Sequence, residues 1–279
     1  MLSILFGLGA AFSWGAADFF GGLASRKAGA HRAIFYGEGI GILFVVIAAL
    51  AFQEDFPTLR ACLFAALAGM IGTFGILLLY QAMTLGLMSI ATPVSALMAA
   101  VIPIVIGAVI DGLPKAVTLL GFVFALFAIW FISRGEGNVK DIFAHIADLK
   151  LPLLAGVGFG LYFVIIHEAT REATLWPMVM SRSAGMLLMT VFLLVRRDPW
   201  EVPPSAWPLI AVNGFLDVGG NFLYIVASRL GRFDVAAILS SLFPASTVLL
   251  AALFLKERVS RPQMFGIALA LIAIVLMTV

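Results

Sequence analysis

Apolar residues recur along the chain in blocks of about twenty, parted by short clusters of charge, proline and glycine. A helix rising 1.5 Å per residue needs about that length to cross the hydrocarbon of a bilayer. The breaks predict ten spans, at 2–24, 31–52, 61–83, 89–110 and 115–133, then 151–167, 175–195, 207–228, 233–255 and 261–279. The longest break runs from Arg134 to Lys150 and falls at the middle of the chain. It parts a first five-helix unit, 1–135, from a second, 151–279, with 136–150 as a connecting loop. Within that loop, Ile142, Phe143, Ile146 and Leu149 give 139–149 the apolar face of a short interfacial helix.

The two halves read alike. Shifted by 145 residues without gaps, Gly69 to Ser133 lies over Gly214 to Thr278, matching Gly69 with Gly214, Gly75 with Gly220, Leu85-Gly86 with Leu230-Gly231, Ser95 with Ser240, and Gly121 with Gly266. Apolar composition produces chance Leu and Ala matches, so the glycine pairs carry most of the weight. Five spans per unit is an odd number, which makes the halves cross the membrane in opposite senses. The expectation is an all-α polytopic membrane protein: ten transmembrane helices as two inverted five-helix repeats around a central cavity.

Polarity inside the spans then marks where that cavity lies. In span eight, Asn213, Asp217, Asn221 and either Tyr224 or Ser228 share one face at helical spacing. A mid-helix Asp costs about 2.5–3.5 kcal/mol to insert, so the stripe faces a bundle interior or water. Amide packing against neighbouring helices is the structural alternative. Trp14 and Asp18 stand one turn apart in span one; they face either the cavity or the lipid and aqueous boundary. Tyr80 and Gln81 close span three as rim or cavity groups. Glu38 in span two and Arg182 in span seven are equivalent under a shift of 144 and carry opposite charges. They can pair as structural or gating charges, or Arg182 can hold a substrate carboxylate. Asp217, Asn221, Asn213, Tyr224, Trp14, Asp18, Tyr80 and Gln81 are thus the candidate substrate-binding residues. His167-Glu168, at the end of span six, reads as a solvated helix terminus.

Composition agrees with a membrane protein and excludes several functions. The 279 residues are 63% hydrophobic and 11% charged, with a formal net charge of +2. That balance gives no reason to expect a nucleic-acid partner; the partners implied are the lipid bilayer and a small molecule. The N-terminus has no basic segment before its first apolar block, which reads as a retained helix rather than a cleaved signal. Cys62 is the one cysteine and can form no intramolecular disulfide. No phosphate-binding Gly-x-x-x-x-Gly-Lys loop and no nucleophile elbow occurs, and His167-Glu168-Ala-Thr-Arg171 lacks the second His of a zinc-protease helix. No enzyme, no cofactor and no metal is expected. Lys and Arg gather in loops 1–2, 5–6, 7–8 and 9–10, which places both termini outside the cytoplasm.

Phe12-Ser-Trp-Gly15, Phe243-Pro244, Leu253-Phe-Leu-Lys-Glu257-Arg258, Gln263 and Gly266 together resemble the drug/metabolite transporter superfamily, in particular its EamA-like ten-helix members. In the first half, Asp111-Gly-Leu-Pro114 departs from the Glu-containing helix end, though Gly121 is retained. The resemblance implies five plus five helices about a central cavity and export of small metabolites across the inner (cytoplasmic) membrane. It also points to the YddG-type exporters of amino acids, aromatic ones included. Export of cationic drugs, or a non-transporting membrane subunit or receptor, are the alternatives. If protons are coupled, Asp217 is the leading carrier.

Overall fold

A computed structural model describes residues 1–82, 88–134, 149–256 and 258–278. The described chain forms α1 (Leu2–Ala28), α2 (Ala30–Ala51), α3 (Leu59–Ala82), α4 (Met88–Ile110), α5 (Ala116–Arg134), α6 (Lys150–Ala169), α7 (Leu175–Arg196), α8 (Trp207–Leu230), α9 (Phe233–Ser240), α10 (Phe243–Phe254) and α11 (Arg261–Thr278). Among the described residues, nine helical segments are long and apolar enough to cross a membrane, α9 and α10 counting as one. Val94–Ile110 of α4 is a shorter apolar helix. The expected spans are all present as helices. The interfacial helix expected over 139–149 falls outside the described residues except for Leu149.

Local chemistry sets the ends. Gly29 alone joins α1 to α2, at φ +84°, a conformation that a side chain would strain. α1 runs a turn past its apolar block because Arg26 and Lys27 are favourable at a helix C-terminus. Span nine is interrupted after Ser240. Pro244 has no N–H to return to the carbonyl four residues earlier, and the chain turns at Ser241 and Leu242 before α10 begins. α11 starts in a reciprocal cap, with Ser260 N–H donating to Gln263 Oε1 (2.9 Å) and Gln263 N–H to Ser260 Oγ (3.4 Å).

The helices pair in a pattern that maps onto itself when each is exchanged for the one five spans along. α1 packs along α8 as α6 packs along α3, and α1 meets α9 and α10 as α6 meets α4. α2 lies against α8 as α7 lies against α3, while α2–α7 and α5–α11 are their own counterparts. The mapping extends to residues. A Cβ on Gly69 would strike the Ser181 carbonyl, and one on Gly214 would stand 2.6 Å from the Gly37 carbonyl. Trp14 packs on Gly220 as Phe159 packs on Gly75, and Gly15 fits against Thr247 as Gly160 fits against Ile102. One apolar cluster, with Phe163, Met178 and Tyr224, ties α1, α3, α6, α7 and α8. A second, with Phe122, Ile129, Ile238 and Met277, ties α5, α9 and α11.

Candidate functional site

The polar stripe of α8 faces α1, α2 and α6, and each member has a distinct place. Asn213 donates its amide to Ala17 O on α1 (2.8 Å). It fits there because Gly21 and Gly37 lack side chains; a Cβ on either would come within 3 Å of the Asn213 amide. Asn221 donates to the Asp217 carbonyl (2.7 Å) and accepts from the Tyr162 hydroxyl of α6. Tyr224 is fully buried and its hydroxyl donates to Phe163 O (2.9 Å). Ser228, one turn on, meets His167 Nδ1 at 3.0 Å, and the His167 ring stacks on Phe233. His167 is therefore packed between helices rather than a solvated terminus.

Glu38 and Arg182 do pair. Arg182 Nη1 donates to Glu38 Oε2 at 2.8 Å, and its Nη2 donates to Asp217 Oδ2. The Arg182 side chain is 7% exposed, and its guanidinium lies over Gly41, where any Cβ would crowd it. Such a buried cation is tolerable because two carboxylates share it. Asp217 was expected from the sequence to hold a substrate, and the fold gives one of its oxygens to Arg182. Arg182 in turn has both terminal nitrogens engaged.

Asp18 is the acid left over. Its side chain is exposed, it lies within electrostatic range of Asp217, and it has no hydrogen bond or ion pair among the described residues. On the α1 wheel it sits between Gly15, which packs on α10, and Gly21, which packs on Asn213 of α8. Exposure flanked by packed neighbours on both sides means an interior space that water reaches. One turn further, Gly22 is exposed and a Cβ there would meet nothing within 4 Å. The space thus opens along α1 toward the α1–α2 turn. Toward the chain termini it is closed by rings: Trp14 lies 5.6 Å from Phe163 and 6.0 Å from Tyr224, and Phe163 lies 4.7 Å from Tyr224.

Counted as ions, Asp18, Asp217 and Glu38 face the single positive charge of Arg182. The chamber is acidic at one end and aromatic at the other. Gln81 is exposed at the end of α3, and the Tyr80 side chain lies outside the described residues. Tyr162 and Phe163 were not singled out from the sequence. The 145-residue shift could have found them, since it sets Phe163 opposite Asp18.

A helical bundle with broken span nine and an acidic chamber between pairwise exchanged helices fits a membrane transporter. The chain belongs to the EamA-like transporter family, whose model matches residues 1–134 and 147–279. It is a multi-pass membrane protein of a transporter family, not an enzyme. The chain is 25% identical to the protein of Staphylococcus aureus provisionally named ribose uptake protein RbsU, over 98% of this chain and 97% of that one. It is 30% identical to an uncharacterized protein of Methanocaldococcus jannaschii over 129 residues, 46% of this chain but 94% of that protein. A solved crystal structure of a protein 17% identical in sequence superposes with a TM-score of 0.79, covering 99% of this chain and 96% of that one.

Proposed function

We propose that the chain carries small amine-bearing metabolites, amino acids with aromatic side chains first among them, out of the cell by alternating access. The observation that carries this reading is Asp18: an unpartnered carboxylate in water-reached interior space, beside Asp217 and below a wall of aromatic rings. An ammonium group suits the excess negative charge, and an aromatic side chain suits Trp14 and Phe163. Asp217, Asn221 and Tyr162 form the adjoining polar wall. Asn213 and Tyr224 act by fixing α8 to α1 and α6.

Alternating access rests on 1–135 and 151–279 being inverted repeats. Its support is the double family match, the half-length relative and the packing pattern that maps onto itself. With Lys and Arg gathered at the face of the α1–α2 turn, that face is cytoplasmic, both termini are outside, and the chamber described opens inward. Loading from the cytoplasm is the direction an exporter needs.

Flux into and out of proteoliposomes tests the substrate, using labelled phenylalanine, other amino acids, organic cations and ribose. Phenylalanine counterflow that falls at least tenfold in Asp18→Asn, in protein that remains monodisperse, is the expected result. Organic-cation flux without amino-acid flux moves the reading to a drug exporter. The similarity to the protein named for ribose uptake favours a sugar as the second reading, and ribose flux without phenylalanine flux would establish it.

A further inference from the structure

The outer face of the α5–α11 pair, remote from Asp18, holds a groove of about 350 Å³ lined by Val123, Phe124, Phe127, Phe131, Phe265 and Leu269. Among the described residues, no polar atom lines it. Val123, Phe127 and Phe131 recur every four residues on α5. On α11, Phe265 and Leu269 continue a stripe that begins at Arg261, the first residue of the helix. From Arg261 to Leu269 the helix rises roughly 12 Å, against about 15 Å for one leaflet of hydrocarbon. The groove therefore runs from the membrane surface toward the midplane on the face of the α1–α2 turn, with an arginine at its mouth.

The segment entering α11 adds to that charge. Residues 256–261 hold Lys256, Arg258 and Arg261 against the single acid Glu257. All three basic side chains are exposed, and among the described residues none forms an ion pair or hydrogen bond. The equivalent segment at the other end of the same helix pair, 111–116, carries Asp111 and Lys115 and has no net charge, and the 145-residue shift sets Ala116 opposite Arg261. An apolar slot one leaflet deep under a cationic rim has the polarity profile of a phospholipid with a negative headgroup.

We propose that this groove and rim form a binding site for an anionic phospholipid of the leaflet on that face. One acyl chain lies between Phe127 and Phe131 of α5 and Phe265 and Leu269 of α11, and the headgroup phosphate meets Arg261 and Arg258. A second copy of the chain is the poorer occupant, because parallel copies joined at this groove would bring two cationic rims together.

Native mass spectrometry of the full-length, delipidated protein tests the site, with phosphatidylglycerol and phosphatidylcholine added separately and inorganic phosphate as a headgroup control. The expected result is preferential retention of phosphatidylglycerol that inorganic phosphate does not displace. Arg261→Gln weakens that retention about fivefold, and Arg258→Gln with Arg261→Gln weakens it further. Leu269→Trp, which fills the groove without changing charge, reduces retention of the same lipid; if it fails to fold, the arginine variants decide. Equal retention of the two lipids, or a phosphatidylglycerol preference unchanged in the double arginine variant, overturns the proposal. So does a disulfide-linked dimer from Leu269→Cys in a Cys62→Ala background.

Discussion

Arg182 shows how a charge can sit in the middle of a membrane bundle. Its side chain is 7% exposed, yet both terminal nitrogens of the guanidinium have carboxylate partners, one on α2 and one on α8. Removing it alone leaves Glu38 and Asp217 facing each other without a counterion. Breaking a buried ion pair from one side costs about 3–5 kcal/mol, and water reaching Asp217 puts this case at the low end. Arg182→Met is thus expected to lower the melting temperature in detergent markedly, and Glu38→Gln, Arg182→Met and Asp217→Asn combined should recover most of the loss. A triple variant as unstable as the single one would mean that Arg182 holds the fold by packing. The Glu38–Arg182 pairing was legible in the sequence because the two positions are repeat-equivalent and opposite in sign. Asp217 as third partner was not, since a stripe on one helix does not say which neighbour it faces. For the same reason Tyr224 read as a cavity residue, while the fold turns its hydroxyl onto Phe163 O.

At the scale of the helix, small residues decide how closely elements approach. Without a hydrophobic force between helices in lipid, van der Waals contact does more of the work, and glycine permits it. Gly69 is pressed so closely on the Ser181 carbonyl that a methyl group there forces α3 away from α7. Gly69→Ala should lower stability by about 1–3 kcal/mol, whereas Gly22→Ala, with nothing within 4 Å, should stay within about 0.5 kcal/mol. Thermal unfolding of the two variants in one detergent compares them directly; equal losses would remove close packing as the reason for Gly69. Span lengths and most breaks were readable because the bilayer fixes the length of an apolar block. The division of span nine was foreshadowed by Pro244, but the tie that seats the end of α9 on α1, from the Ser240 hydroxyl to Gly7 O at 3.4 Å, was not. Tertiary contacts of that kind leave no periodic trace.

Across the whole molecule, the α2–α7 pair is tied at both ends by an acid at repeat-equivalent positions, though through different contacts. Glu54, just past the end of α2, accepts hydrogen bonds from the N–H groups of Thr174, Leu175 and Trp176 at the start of α7, at 2.8, 2.8 and 2.9 Å. Asp198, 144 residues later and just past the end of α7, lies 3.2 Å from His31 Nδ1 at the start of α2. Three more ties join the same corner, from Lys27, Arg32 and Tyr36 to the carbonyls of Ser205, Glu201 and Trp200. Alternating access requires the two ends of the bundle to open in turn, and a carboxylate holding the first turn of a helix is a contact that one end can lose while the other keeps it. Glu54→Gln keeps the shape and removes the charge that holds the first turn of α7, so it should favour opening at the terminal face. The readout is labelling of Phe163→Cys, in a Cys62→Ala background, by a thiol reagent added from that side of proteoliposomes. Behind the ring cluster of Trp14 and Tyr224 this site is 6% exposed and should react slowly. A loss of about 1 kcal/mol in the closed state raises the labelling rate about fivefold. Asp198→Asn should leave that rate unchanged or lower it, because it loosens the opposite end. If Glu54→Gln lowers the melting temperature without altering labelling, the carboxylate only caps α7, and closure of the terminal face rests on the aromatic wall alone.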